Sequence, residues 1–241
     1  MDAVVANNIS KVFRLHEDRP ASIKEHLLKF GRNPKRDFQA LHPFDLTVPS
    51  GQTLGILGHN GSGKSTLLKC ISGILKPTTG TIQLRGRLAS LLELGAGFHP
   101  ELTGRENVYI NAAFLGIKRS EIEKRFDDIV DFAELGQFID EPVKHYSSGM
   151  YVRLGFAVAV NLDPDVLLVD EVLAVGDEVF QRKCLDRIRQ FQQEGRTILV
   201  VTHGADLVRQ VCHRAIVLHH GEMVADAAPG EAIQIFREHL Q

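Results

Sequence analysis

The chain has 241 residues, 44% of them hydrophobic, and its 28 Lys and Arg against 30 Asp and Glu give a formal net charge of −2. This length and apolar content are enough for one large α/β domain with its own core. The balanced charge lacks the basic footprint that a nucleic-acid-binding protein usually carries. No apolar run approaches the roughly 18 residues of a membrane-spanning helix, and the N-terminus lacks the basic start and apolar stretch of a signal peptide. The sequence therefore predicts a protein that stays in the cytoplasm and binds no nucleic acid.

The beginning of the chain predicts strands on either side of a polar insert. Residues 4–9 are predicted as an opening strand, and residues 44–48 alternate apolar and polar side chains as a half-buried strand does. Between them lies a polar insert over residues 14–38, in which a capping box at 22–25 predicts a short helix. From 19 to 36 this insert holds six Lys or Arg against one acid. Two interpretations stay open: a solvated surface helix, or a helix against the anionic inner leaflet or a membrane subunit.

The next part of the chain changes from strands to helices. Residues 53–57 predict a buried strand that runs into a glycine-rich turn, and residues 67–71 predict a helix. Further strands are expected at 81–84 and 88–92. From about 103 to 150 the pattern is helical and charged, which predicts a helical subdomain inserted into an α/β core.

Strands return after this helical stretch. They are predicted at 166–169, 198–202 and 215–218, with a charged helix at Glu178–Gln193 and a last helix near residues 231–240. Strands that alternate with helices favour a mostly parallel sheet covered by helices.

A phosphate-binding loop is predicted directly after the strand at 53–57. The pattern G-x-x-x-x-G-K-[ST] is formed by Gly58, His59, Asn60, Gly61, Ser62, Gly63, Lys64, Ser65 and Thr66. Its glycines let backbone N–H groups wrap around phosphate oxygens, and the following helix adds its positive N-terminus. Lys64 can reach the β- and γ-phosphates, while the Ser65 hydroxyl can ligate Mg²⁺. The loop therefore predicts binding of a nucleoside triphosphate with Mg²⁺.

Two adjacent acids end the apolar strand at 166–169. Beside a phosphate loop, Asp170 is predicted to bind Mg²⁺ and Glu171 to orient or deprotonate the attacking water. An acidic pair in this place is usually only the end of a strand, but here it follows a phosphate loop at the expected distance. His203 follows the strand at 198–202 and is a candidate sensor of the γ-phosphate, although an isolated histidine is more often structural.

The pentapeptide YSSGM at 146–150 resembles the LSGGQ signature of ABC cassettes in a degenerate form. In that family the residues at the positions of Ser147, Ser148 and Gly149 contact the γ-phosphate bound on the opposite subunit. The resemblance covers nearly the whole chain and implies a single ABC nucleotide-binding domain over 1–241. The implied fold class is α/β: a P-loop NTPase core with a mostly parallel sheet, an antiparallel β portion and an inserted helical subdomain.

The resemblance implies two more site residues. Phe13 stands where the family places an aromatic ring on adenine, and the alternative is an ordinary core phenylalanine. Glu93 ends the strand before the helical subdomain, where the family has a glutamine. In that slot its carboxylate would face Mg²⁺ and the attacking water, so the site would be more acidic than is usual in the family.

The subfamily is indicated by residues 94–107, 146–154 and 170–184, together with the insert at 14–38. They are similar to the ATPase subunits of bacterial exporters of O-antigen, capsular and teichoic-acid-type polysaccharides carried on lipid anchors. This implies a homodimer of ATPase subunits in a two-plus-two complex with an integral-membrane permease, on the cytoplasmic face of the inner membrane. The lipid-linked polysaccharide would be reached through the permease.

Other functions receive less support from the sequence. A drug or nutrient transporter is the main alternative, and a non-transport ABC ATPase is disfavoured because the chain has one cassette and no heptad tract. A GTPase is disfavoured because no N-K-x-D element is present. No alternating β segments follow the last predicted helix, so we expect the subunit to have no polymer-binding site of its own. We expect residues 94–107 to contact the membrane subunit.

Overall fold

The structure is a computed structural model that describes residues 1–15, 36–91, 97–114, 117–161, 163–170 and 177–239. In chain order the strands are β1 (Asp2–Leu15), β2 (Arg36–Pro49), β3 (Thr53–Gly58), β4 (Thr79–Leu84), β5 (Leu88–Ser90), β6 (Val166–Asp170), β7 (Thr197–Val201), β8 (Arg214–His219) and β9 (Glu222–Ala227). The helices are α1 (Lys64–Ile71), α2 (Gly104–Phe114), α3 (Arg119–Glu123), α4 (Phe126–Ala133), α5 (Ser148–Asn161), α6 (Glu178–Gln193), α7 (Ala205–Val211) and α8 (Pro229–Glu238). Two short 3₁₀ helices, Gly136–Asp140 and Val143–His145, precede α5.

A six-stranded sheet in the order β5-β6-β7-β3-β8-β9 forms the centre of the fold. Its strands pair in parallel except at the β8–β9 edge. Every residue of β3 and β7 is buried, as expected for parallel strands covered on both faces. This burial explains why these strands are continuous apolar runs without alternation.

A second, three-stranded antiparallel sheet has the order β2-β1-β4. Its inward side chains, such as Val4 and Leu46, share one hydrophobic cluster with Ile56 of β3 and Leu67 of α1. The opposite face of the central sheet packs against α5, α6 and α8 through a cluster that includes Phe156, which is 1% exposed. The central sheet is thus a middle layer between the antiparallel sheet with α1 and the other helices.

The helices from α2 to α5 enclose a third cluster of their own. It is centred on Val108, Ile122, Ile129 and Leu154, all at most 1% exposed. α5 contributes to two cores, because its Phe156 packs against the central sheet and its Leu154 packs among the helices. This shared helix anchors the helical region to the sheet.

The predicted elements at 178–193, 198–202 and 215–218 agree with the structure to within one residue at each end. β1 and β2 are longer than predicted, and the outer parts of the 14–38 insert pair as strands, with Arg14 opposite Asp37. The remainder of that insert, residues 16–35, lies outside the described residues. The predicted strand at 88–92 ends at Ser90, although Leu91 N still donates to Leu168 O at 2.8 Å. Among the helices described, none is long and apolar enough to cross a membrane.

Candidate active site

The phosphate loop connects the end of β3 to the start of α1. Gly61 and Gly63 have φ angles of 81° and 105°, in the left-handed region that favours glycine. A Cβ on Gly63 would also lie 2.7 Å from the carbonyl oxygen of Ala40. Two separate constraints therefore require glycine at position 63: the positive φ angle and the close approach of the neighbouring strand. A glycine-rich loop that runs into a helix N-terminus is suited to present backbone N–H groups to an anion.

Lys64 is held inside this loop and is 6% exposed. Its ammonium donates to the carbonyl oxygens of Gly58 and His59, both at 2.8 Å. A buried charge of this kind is costly unless it is hydrogen-bonded, and the two carbonyl dipoles satisfy part of that need. The lysine is thus fixed at the loop before any phosphate arrives.

Two further observations fit a polyphosphate ligand here. The Ser62 hydroxyl is buried, and in the described part of the chain it has no hydrogen-bond partner. The first turn of α1 has no acidic residue, so nothing there opposes an anion at the helix N-terminus. A loop of glycines with one fixed ammonium and an unsatisfied hydroxyl is suited to bind phosphate groups.

The sheet order brings the other predicted residues to the same edge. β6, β7 and β3 are neighbours, and they end at Asp170, Val201 and Gly58, with Asp170 opposite Val201 in register. The carboxyl ends of parallel strands are where ligands bind in such sheets. His203 follows β7 there as an exposed residue, beside Thr202, whose hydroxyl accepts the N–H of Gly204 at 2.9 Å. The structure therefore places Asp170 and His203 on the phosphate-loop edge.

Glu171 and Glu93 lie outside the described residues, so their predicted roles stay predictions. Phe13 lies on β1 opposite Phe38 of β2. Its ring is partly exposed, lies outside the three hydrophobic clusters formed by the described residues, and has the Lys11 ammonium 5.2 Å from its centroid. The Phe13 ring is therefore accessible for stacking. A phenylalanine buried in the core would not be accessible in this way.

The signature-like residues begin α5, away from the phosphate-loop edge and within the helical region. The Ser147 hydroxyl accepts the N–H of Met150 at 3.2 Å and so caps this helix. Ser147 and Ser148 are exposed, and Gly149 is half-buried. An exposed, capped helix N-terminus can present N–H groups and hydroxyls to an anion outside the chain.

Tyr146 fixes the approach to this helix. Its hydroxyl donates to the carbonyl oxygen of Phe138 at 2.7 Å, and burial raises the pKa of the phenol to about 12. A Cβ on Gly104 would lie 2.1 Å from the Tyr146 hydroxyl oxygen, so the ring requires glycine at that point of α2. A leucine at position 146 would fill part of this space without making the hydrogen bond.

Sequence analysis missed the contacts that close the phosphate loop from behind. Gly221, in the turn between β8 and β9, donates its N–H to the Ser62 carbonyl oxygen at 3.0 Å. The ring of His59 lies 5.4 Å from that of Phe236 on α8. The H-G pair at 220–221 signals a turn, but no local pattern shows which distant loop that turn contacts.

Comparison with known proteins agrees with this geometry. The sequence model of the ABC transporter family matches residues 41–174. The O-antigen export system ATP-binding protein RfbB of Myxococcus xanthus is 47% identical over 245 residues, which cover 99% of this chain and 56% of that protein. A protein of the same description from Klebsiella pneumoniae is 42% identical over 240 residues and 96% of each chain. A solved dimeric ATP-binding cassette in a post-hydrolysis state, bound to ADP and Pi, has a TM-score of 0.75 at 24% identity and covers 94% of this chain and 98% of its own.

The fold and site define an α/β nucleotide-binding cassette with a phosphate loop at the carboxyl edge of its sheet. The chain belongs to the ABC transporter family, as an ATP-binding cassette. This chain spans just over half of the Myxococcus relative and nearly all of the Klebsiella relative.

Proposed function

We propose that the chain is the ATPase subunit of an exporter that moves a lipid-linked cell-surface polysaccharide across the cytoplasmic membrane. The observation that carries the export class is the similarity, over nearly the whole chain, to proteins described as O-antigen export ATP-binding proteins. The observation that carries the motor function is the formed phosphate loop with its fixed Lys64. The subunit works at the cytoplasmic face of the membrane, attached to an integral-membrane permease.

In the proposed mechanism the phosphate loop binds the β- and γ-phosphates of ATP. The Lys64 ammonium exchanges two neutral carbonyl acceptors for anionic phosphate oxygens, which accept stronger hydrogen bonds. Ser65, Asp170 and Glu93 would hold Mg²⁺, which would neutralise charge that develops on the phosphates. Phe13 stacks on the adenine. The geometry of the phosphate loop supports the phosphate-binding role. The accessible ring of Phe13 supports the stacking role.

Glu171 is the proposed general base. It orients the attacking water and accepts its proton as the water oxygen bonds to the γ-phosphorus and the bond to the leaving ADP oxygen breaks. His203, on the same edge of the sheet, contacts the γ-phosphate and signals its loss after hydrolysis. Asp170, one residue before Glu171, ties this part of the site to the end of β6.

Two copies of the chain complete each site in this proposal. ATP on one copy is covered by Ser147, Ser148 and Gly149 of the other, so the cassettes close head to tail around two nucleotides. The exposed and capped start of α5 supports this role, because it presents hydroxyl and backbone N–H groups at the surface of the chain. The solved cassette of the same fold is described as dimeric.

The helical region over about 103–150 is the proposed subdomain that meets the permease, with the segment 94–107 as its contact. The exposed ring of Phe114 supports this placement. It is 78% exposed and lies beside Gly97 within that segment. The basic insert at 14–38 is a second proposed contact, either with the permease or with anionic lipid.

The test is to purify the chain from membranes with its permease, identify that protein and measure ATP hydrolysis. The proposal expects a polysaccharide-export permease and loss of surface polymer when Lys64 is replaced by Ala. Co-purification with a drug or nutrient permease, with surface polymer unchanged, would assign the chain to the alternative transporter class.

A further inference from the structure

Four charged side chains join the helical region to the central sheet's helix α6. The Arg153 guanidinium on α5 donates to the Glu134 carboxylate at 2.9 Å and also to the Asp177 carboxylate. The Lys183 ammonium on α6 donates to the same Glu134 at 3.2 Å. Glu134 is thus shared by two cations, and Arg153 is shared by two acids. We call these four residues the ion network.

The ion network is anchored in the backbone at two helix ends. Glu134 follows α4 with a φ of 57°, a conformation that residues other than glycine rarely adopt, and this turns its carboxylate toward the cations. Lys183 also donates to the carbonyl oxygens of Asp131 and Phe132, at 3.2 and 3.0 Å, at the C-terminus of α4. Asp177 accepts the N–H of Phe180 at 2.9 Å and so caps α6. The network therefore fixes the end of one helix against the beginning of another.

Three phenylalanine rings pack against the charged side chains of the ion network. The rings of Phe132, Phe156 and Phe180 lie 5.8 to 6.0 Å apart, one from each of α4, α5 and α6. The Arg153 guanidinium lies 5.2 Å from the Phe180 ring, and the Lys183 ammonium lies 4.9 Å from the Phe132 ring. Apolar rings hold the helices together without directional preference, whereas the charged pairs fix their relative direction.

The position of the network along the chain links it to the site. Arg153 lies six residues after Ser147 on the helix that Ser147 begins, and Asp177 lies seven residues after Asp170. One guanidinium therefore connects the helix that starts with the signature-like residues to Asp177, which caps the next described helix after Asp170 in the chain. A guanidinium is suited to this because its planar fork can bond two carboxylates at fixed angles.

We propose that Arg153 and Glu134 are positioning residues for ATP hydrolysis. They hold the direction of α5, and thus of Ser147, relative to the start of α6. Neither residue touches the nucleotide in this proposal. The inference rests on the proposed roles of Ser147 and Asp170.

The experiment compares Arg153→Met, Arg153→Lys and Glu134→Gln with the wild-type chain in complex with its permease. We expect kcat to fall about 10- to 100-fold in Arg153→Met, because a small misplacement far from the chemistry is enough to slow it. KM for ATP should stay within about twofold, since the phosphate loop is untouched. Glu134→Gln should behave similarly, and Arg153→Lys should recover part of kcat because one ammonium keeps the charge but not the fork.

Arg182→Met is the matched control. Arg182 is also on α6 and pairs with Glu178 at 2.6 Å, but both side chains are more than 70% exposed and neither belongs to the network. This variant removes one charge and one ion pair from the same helix and should keep wild-type kcat. Combining Arg153→Met with Glu134→Gln should cost less than the sum of the two single changes, because both break the Arg153–Glu134 contact.

Wild-type kcat in both Arg153→Lys and Glu134→Gln would overturn the inference, even if Arg153→Met does not fold. Circular dichroism measures the folded fraction of each variant. A fall in kcat no larger than the fall in that fraction would also overturn the inference. Failure of the proposed site is a separate result: the wild-type complex would then show no ATP hydrolysis, or Lys64→Ala would hydrolyse ATP normally.

Discussion

The phosphate loop and the signature-like segment differ in how completely one chain builds them. Lys64 and Ser62 in the loop are 6% and 3% exposed, and the loop is bonded to β3, α1 and the β8–β9 turn. Ser147 and Ser148 begin a helix at the surface, with one capping hydrogen bond as the Ser147 hydroxyl's contact. In the proposed two-copy site, the first half is therefore preorganised within the chain, and the second half presents its donors outward. This difference is what a site completed by a second copy requires.

Replacement of Glu171 by Gln should have the largest effect. The amide keeps the size of the carboxylate but cannot accept the water's proton, so turnover should fall about 1,000-fold while ATP binding persists. Both halves of the site then stay closed around ATP, and a dimer should appear in size-exclusion chromatography with ATP. Turnover within a fewfold of wild type would show that another group is the base.

Replacement of Lys64 by Ala should weaken ATP binding by the preorganised half of the site and leave the outward half unchanged. Loss of a charged donor to phosphate should raise the Kd for ATP about 10- to 100-fold, measured by titration calorimetry. Lys76→Ala is the control, since Lys76 is an exposed lysine beyond the end of α1. Equal affinities in the two variants would contradict the placement of the phosphate loop.

Replacement of Ser147 by Ala should act only on the outward half. ATP binding by the isolated chain should be unchanged, whereas turnover should fall about 10-fold through loss of one hydrogen bond to the partner's nucleotide. Mixing this variant with Lys64→Ala provides a sharper measurement, because a mixed dimer carries both defects in one site and leaves the other intact. Recovery of turnover in the mixture is expected only if the two halves come from different copies.

Replacement of Tyr146 by Phe should affect stability more than turnover. Loss of the hydrogen bond to Phe138 should lower the free energy of unfolding by about 1 kcal/mol. Because burial raises the phenol pKa from 10 to about 12, the folded state disfavours the ionised form. The contribution of the Tyr146 phenol to the stability of the folded state is therefore fully present below pH 10 and is lost as the pH rises toward 12. As the pH rises from 10 to 12, the melting temperature should fall more in the wild type than in Tyr146→Phe.

The smallest effect on the isolated chain is expected from the basic insert. Reversing the charges of Lys29, Arg32 and Lys35 to Glu should impair export while sparing ATP hydrolysis by the isolated subunit. Arg36 begins β2 in the structure and is left out of this variant. Normal export would assign the insert to the alternative of a solvated surface helix.

How much the sequence predicts differs along the chain for physical reasons. Long buried strands such as β3 and β7 are apolar throughout, and the phosphate loop has a local pattern, so both are visible in the sequence. β9 was missed because its residues are half-exposed and it lies at the sheet edge after a short turn. α7 was missed because its seven residues are too few for a clear helical period.

Contacts between distant segments could not be predicted from local patterns. The strand order depends on which apolar runs meet in space, and the ion network joins Glu134 to Arg153 and Lys183 through side chains far apart in sequence. The assignment of Asp170 to the sheet edge succeeded because a strand's end is a local feature. The contact from Gly221 to Ser62 has no such local signal.

That last contact has a consequence for the order in which the protein is made. The phosphate loop at 58–66 is translated well before its closing contacts, because Gly221 and Phe236 come more than 150 residues later. β8, which pairs with β3 along Gly55 to Gly58, also comes from this late part of the chain. Contacts across such separations form only once both partners have left the ribosome. The phosphate loop thus waits for a long stretch of later synthesis before its closing contacts can form.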